Sequence, residues 1–195
     1  MEDSSLNTSL SLLEKVEGHD QDAWRTFVQM YTPLIQAWCQ NVGLQQSDVV
    51  DVTQDVMQAV AVDIQSFRPG KKPSGAFRSW LWGVTRYRLL NHFRKRDKQV
   101  NAIGGDDAQQ LLANLEQQID EPESVDGVLS TQILIQSALK LLRPQFAPRT
   151  WKAFWRMTVD EVSAKDVGEE IGMSPKAVRQ AKFRVIQKLR ELLPN

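Results

Sequence analysis

Residues 164–183 read AKDVGEEIGMSPKAVRQAKF, and this stretch decides the architecture of the second half of the chain. Ser163 stands where it can cap a first helix, with Asp166 three residues on in a capping-box-like arrangement. Val167 and Ile171 fall on one helical face. Gly168 is small where a second helix would cross. Gly172 can take the left-handed conformation that a tight turn needs. Met173 fills the gap, Ser174 caps the next helix and Pro175 takes its first position. Val178 and Ala181 then point back toward the first helix. Two helices joined in this way cross steeply, which is the geometry of a helix-turn-helix.

The second of these helices carries Lys176, Arg179, Lys182, Arg184, Lys188 and Arg190, with no acid before Glu191. Such a face suits phosphates and base edges in a DNA major groove, with Lys176, Arg179 and Gln180 nearest the N-terminal tip. The plainer alternative is a helical hairpin with a solvated basic face. Caps, glycine, proline and charge bias all agree on the first reading.

Outward from this motif, the 195-residue chain reads as almost entirely helical. It has no period-two strand and no Asn-Gly or Asp-Gly hairpin signal. Thr8 or Ser9 could cap a first short helix that Gly18 ends. A second helix begins near Asp20, with Trp24, Phe27, Val28, Tyr31, Leu34, Ile35 and Trp38 at three-to-four spacing and Pro33 inside it. Gly43 stops it, Ser47 caps the next, and a third helix runs from about Asp48 to Phe67. The segment 68–76, RPGKKPSGA, is a loop. A fourth helix covers Phe77 to about Lys98. Residues 99–127 are polar and acidic and form the best linker candidate. Within them AQQLLANLEQQI places Leu111, Leu112, Leu115 and Ile119 on one side of a helix. A second helical unit starts near Val128, its apolar positions including Leu129, Ile133, Leu134, Ala138, Leu141 and Leu142.

The formal net charge is zero, and the distribution is uneven. Residues 1–70 hold three basic and ten acidic side chains, a balance of −7. Residues 71–98 hold nine basic and one acidic, a balance of +8. Residues 99–127 hold seven acids and no base, −7, and residues 128–195 hold twelve bases and six acids, +6. Alternating blocks of this kind point to surfaces with different partners.

Residues 77–98, FRSWLWGVTRYRLLNHFRKRDK, interleave aromatics with basic side chains. Phe77, Leu81, Val84 and either Arg88 or Leu89 give an inward stripe. Trp80, Trp82, Arg86, Tyr87, Asn91 and Arg94 divide between core edge and surface. Aromatics beside Arg and Lys are what single-stranded bases stack on, at about 1–3 kcal/mol per base. Phe77 and Trp80 are more readily core residues. The neighbouring Lys71 and Lys72 favour a nucleic-acid surface.

Some classes are excluded or disfavoured. A single Cys rules out an internal disulfide framework and a Cys-rich zinc site. Cys39, beside Trp38, reads as a small buried hydrophobe. The two His residues are far apart in sequence, and no phosphate loop, metal-ligand spacing or nucleophile elbow is present, so no enzyme, metal or cofactor is expected. The acidic, polar start is not a secretory signal, and no apolar run spans a membrane; a cytoplasmic location is expected.

In the order and spacing of these motifs the chain resembles the sigma factors of bacterial RNA polymerase, in particular the compact extracytoplasmic-function (ECF) group of the sigma-70 family. The resemblance covers about residues 20–98 and 130–193. Asp51-Val52-Thr53-Gln54-Asp55-Val56 stands where that family has an Asp-Leu-x-Gln-Glu-like motif. Phe77, Trp80, Leu81 and Val84 match its Phe-x-x-Trp-Leu-x-x-Ile, and Arg94-Lys95-Arg96 its basic tail. Tyr87 and Asn91 replace a frequent Asn and Asp, and Ala181-Lys182 a frequent Arg-Leu pair; these departures bear on which promoter is read.

The resemblance implies an all-α fold of two small helical domains: 1–98 for polymerase binding and the minus-10 element, and 128–195 for the minus-35 element, joined by the acidic linker 99–127. It implies that Asp51, Gln54 and Asp55 contact core polymerase, on a β′ coiled coil. It assigns Lys71, Lys72, Ser74, Trp80, Arg86, Tyr87, Asn91 and Arg94 to minus-10 DNA. It assigns Ser174, Lys176, Arg179, Gln180, Lys182 and Arg184 to minus-35 DNA. The implied partners are core RNA polymerase (β and β′ subunits), promoter DNA and, as for many ECF factors, an anti-sigma factor. The linker would thread the polymerase RNA exit channel. The rival reading is a helix-turn-helix repressor or activator that never joins polymerase, which leaves the aromatic-basic helix unexplained.

Overall fold

A computed structural model describes residues 7–68, 76–100 and 127–193. Every regular element among them is helical: α1 (Asn7–Glu17), α2 (Gln21–Asn41), α3 (Gln46–Asp63), α4 (Ala76–Val100), α5 (Gly127–Leu142), α6 (Pro148–Thr158), α7 (Ala164–Ile171) and α8 (Pro175–Leu192). Short 3₁₀ turns follow α3 and α5. The all-α expectation holds.

The helix ends show local chemistry at work. The α1 to α2 corner is closed by His19, with φ 62°, one residue beyond the expected stop at Gly18. The His19 N–H bonds the Val16 carbonyl and the Asp20 N–H bonds the Lys15 carbonyl, a Schellman closure. Asp20 then caps α2, its carboxylate accepting from the Asp22 and Ala23 N–H groups. That immediate restart fixes the left-handed residue one position later than glycine alone would suggest. The helix α2 continues through Pro33. Ser47 does not cap α3, which starts earlier, after Gln45 and without a side-chain cap.

One core joins α1 to α4. Phe27, Met30, Leu34 and Ile35 of α2, Val49, Val56 and Val60 of α3, and Leu81 and Leu89 of α4 are fully buried. Leu89, not Arg88, completes the inward stripe of α4. Trp38 of α2 and Trp82 of α4 meet edge to face, with ring centroids 5.2 Å apart. Pairs of this kind add about 0.5–1.5 kcal/mol beyond area burial.

The helix α5 joins this same core. Leu134 and Ala138 are buried in it, and Ile133 and Leu141 pack at its edge. Ser130 and Ser137 are also buried, whereas Leu129 is exposed. The face that meets α2 is therefore set by small residues that allow close approach. The C-terminal end of α8 (Leu189, Leu192) and Leu193 after it reach the same core, where α8 contacts α1. Arg78 of α4 donates to the Thr131 hydroxyl of α5 at 3.3 Å.

A second, smaller core holds α6, α7 and α8 together through Ala153, Val167, Ile171, Val178 and Ala181. The expected turn chemistry is in place. Ser163 accepts from the Asp166 N–H, and its hydroxyl donates to the Asp166 carboxylate at 2.7 Å. The Asp166 side chain thus reaches back to the cap hydroxyl, where a full capping box would engage the cap N–H. Gly172 closes α7 at φ 68°, and Ser174 accepts from the Ala177 N–H.

Candidate nucleic-acid interface

The α3 motif divides cleanly by face. Val52 and Val56 are buried, and the Thr53 hydroxyl donates to the Val49 carbonyl at 2.6 Å. Asp51, Gln54 and Asp55 are left exposed on the opposite side. Three acceptor-rich side chains on one rigid face suit a basic protein surface. Asp48 belongs elsewhere. It is half-buried against α4, with His92 Nε2 and Arg96 Nη1 each 3.6 Å from its carboxylate.

On α4, residues 80, 87, 91 and 94 recur at helical spacing and share one side. Tyr87 is 58% exposed, Arg94 is exposed, and Trp80 and Asn91 are half-buried. Trp80 is tied into an aromatic cluster, with its ring centroid 5.5 Å from those of Phe67 and Phe77. It can offer an edge while its body stays packed. Arg88 lies 5.7 Å from the Tyr87 ring centroid, where its cation can hold the ring in place. Arg86 is half-buried and lies about 100° around the helix from Tyr87, so it flanks the stripe instead of forming it. Lys71, Lys72 and Ser74 lie outside the described residues.

On α8, Lys176, Arg179, Gln180 and Arg184 are exposed on the side opposite the buried Val178 and Val185. Lys182 is half-buried on the flank. The Ser174 hydroxyl is occupied as acceptor for the Ala177 N–H, so only its O–H remains for a phosphate. The centre of the exposed face is Phe183, 63% exposed, which the sequence reading passed over. Its signal was positional: it lies seven residues after Lys176, hence on the same stripe. An aromatic there can pack on thymine methyl groups.

The helix α6 is fastened to α7 by charge. Glu170 accepts from Lys152 Nζ and from Arg156 Nε, each at 3.0 Å, and Arg156 also bonds Asp160 at 2.8 Å. The hydrogen bonds from Lys152 and then Arg156 hold the Glu170 carboxyl below the usual range. The same pairing, led by Asp160, raises Arg156. Among the described residues no group of His, Cys, Asp and Glu could hold a metal, and no helix is long and apolar enough to cross a membrane.

Comparison with known families bears on the first half of the chain. Residues 27–99, covering most of α2, the whole of α3 and almost all of α4, match the family model of Sigma-70 region 2. No curated protein matches the chain. The matched segment carries both the exposed acidic face of α3 and the aromatic-basic stripe of α4, and its likeness to Sigma-70 region 2 supports a sigma-factor role in transcription initiation.

Proposed function

We propose that this chain is an ECF-type sigma factor. In this reading Asp51, Gln54 and Asp55 of α3 dock on core polymerase. The α4 stripe of Trp80, Tyr87, Asn91 and Arg94, with Lys71, Lys72 and Ser74 of the preceding loop and Arg86 at its flank, engages the opened minus-10 element. Opening costs about 1.4 kcal/mol of stacking per step, and stacking of released bases on aromatic side chains offsets part of it. The α7–α8 helix-turn-helix reads the minus-35 element as duplex, through Lys176, Arg179, Gln180 and Arg184, with Ser174 and Lys182 at the margins. The acidic linker, free of Lys and Arg, follows the basic exit channel.

One observation carries the reading. The region 2 match ends at the end of α4, and a capped, basic helix-turn-helix follows in the same chain. Run-off transcription with purified core polymerase and candidate promoters tests it. Promoter-specific initiation that depends on the added chain is expected. Absence of specific initiation on every template would reject it. Asp51→Lys with Asp55→Lys should abolish co-purification with core polymerase while leaving thermal stability within about 0.5 kcal/mol, since both side chains are exposed.

A further inference from the structure

A groove of about 760 Å³ opens between the second half of α5 and α6. Its floor is apolar and aromatic: Leu139, Phe146, Trp151 and Trp155. Trp155 is 38% exposed, and Trp151 packs between it and Phe146, with centroids 6.4 and 6.5 Å away. Four cations rim it. Two of these, Lys152 and Arg156, are already neutralised by Glu170 and Asp160. The other two, Lys140 and Arg143, are exposed and have no acidic partner among the described residues. The groove lies apart from the α3, α4 and α8 faces. Such a surface, apolar below and positive along one edge, fits an amphipathic helix with acidic flanks.

The geometry points to residues 108–119 of this same chain as the occupant. Three observations select them. Leu111, Leu112, Leu115 and Ile119 have the spacing of one apolar stripe over about two helical turns. Asp106, Asp107, Glu116, Asp120 and Glu121 flank that stripe, and no Lys or Arg occurs between Lys98 and Lys140. The reach is sufficient. Ile119 lies eight residues before Gly127, up to about 26–29 Å of extended chain, whereas α5 rises only about 20 Å from Gly127 to Lys140. The linker can therefore double back along α5. Its leucines then cover Trp151 and Trp155, and its acids face Lys140 and Arg143. In the free chain the linker shields this groove, and any partner helix that uses the groove has to displace it.

Amide hydrogen exchange on the full-length chain tests this. In the wild type, amides of 108–119 should be protected by roughly tenfold or more over an unstructured segment. Leu112→Asp with Leu115→Asp, and separately Lys140→Glu with Arg143→Glu, should each remove that protection while the core amides of α2 and α4 are unchanged. In a second arm, p-benzoylphenylalanine in place of Phe146 should give a photocrosslink to 106–121 within one chain. Unprotected 108–119 amides in the wild type, protection that survives Lys140→Glu with Arg143→Glu, or crosslinks only between two copies would each overturn the assignment.

Discussion

Gly168 of α7 sits so close to Met173 that a Cβ at position 168 would stand 2.5 Å from the Met173 carbonyl oxygen. The obstacle is backbone, so it cannot rotate away. Gly168→Ala should therefore destabilise the helix-turn-helix by about 1–3 kcal/mol, the range for overpacking. The sign makes this a sharp test. In an unobstructed helix the same change would stabilise by up to about 1 kcal/mol. Thermal unfolding of the two proteins decides between these outcomes.

Phe183 and Arg179 share the exposed face of α8 and should respond differently to truncation. Both are solvent-exposed, so neither Ala variant should change stability by more than about 0.5 kcal/mol. Arg179→Ala should cost holoenzyme about 1–3 kcal/mol at particular minus-35 bases. Phe183→Ala should lose affinity only for promoters with thymine opposite it, and uracil substitution at that base should mimic the variant. Lys188 is paired with Glu191, so Lys188→Ala should alter the salt slope less than Lys176→Ala. Binding titrations at two salt concentrations measure all four variants.

The network around Glu170 gives a pH dependence with a definite sign. Its carboxyl is held below the ordinary value, so in the folded state it binds its proton less readily than in the unfolded state. Its contribution to the α6–α7 contact is present above the unfolded value, near pH 4.3, and is lost as pH falls through the lower folded value. Glu170→Gln should remove this dependence while leaving the hydrogen-bond shape similar. Melting curves between pH 3 and pH 7 for the two proteins should therefore differ most at the neutral end. Equal differences at both ends would assign the loss to shape, not charge.

The parts of the fold legible in the sequence were those with local causes. Ser163, Gly172, Ser174 and Pro175 each act within a few residues, and each stands in its expected role. Val52 and Val56 stand four residues apart on α3, so they share one face, and both are buried. What escaped was decided at long range. Ser130 and Ser137 read as polar, yet the close approach of α5 to α2 buries them. Trp82 could equally have faced solvent until Trp38 was seen to meet it. Phe183 is turned outward because Val185 and Ala181 hold the inward face of α8. Asp48 lies three residues before Asp51 in sequence, and the packing of α4 draws it aside to His92 and Arg96.

Cys39 tests the packing of the first core without a mutation. It is fully buried at the α2 end, and burial pushes its thiol up to about 12. Thiol reagents attack the thiolate, so both access and ionisation oppose reaction in the native state. With 5,5′-dithiobis(2-nitrobenzoate) at pH 8 the folded chain should release almost no chromophore, whereas the urea-unfolded chain should release one equivalent, since Cys39 is the single cysteine. The native reaction should then proceed at the rate of core opening, independent of reagent concentration at high reagent. A fast, concentration-dependent reaction would mean that the α2 end is open to solvent, and the Trp38–Trp82 contact beside it would not be formed.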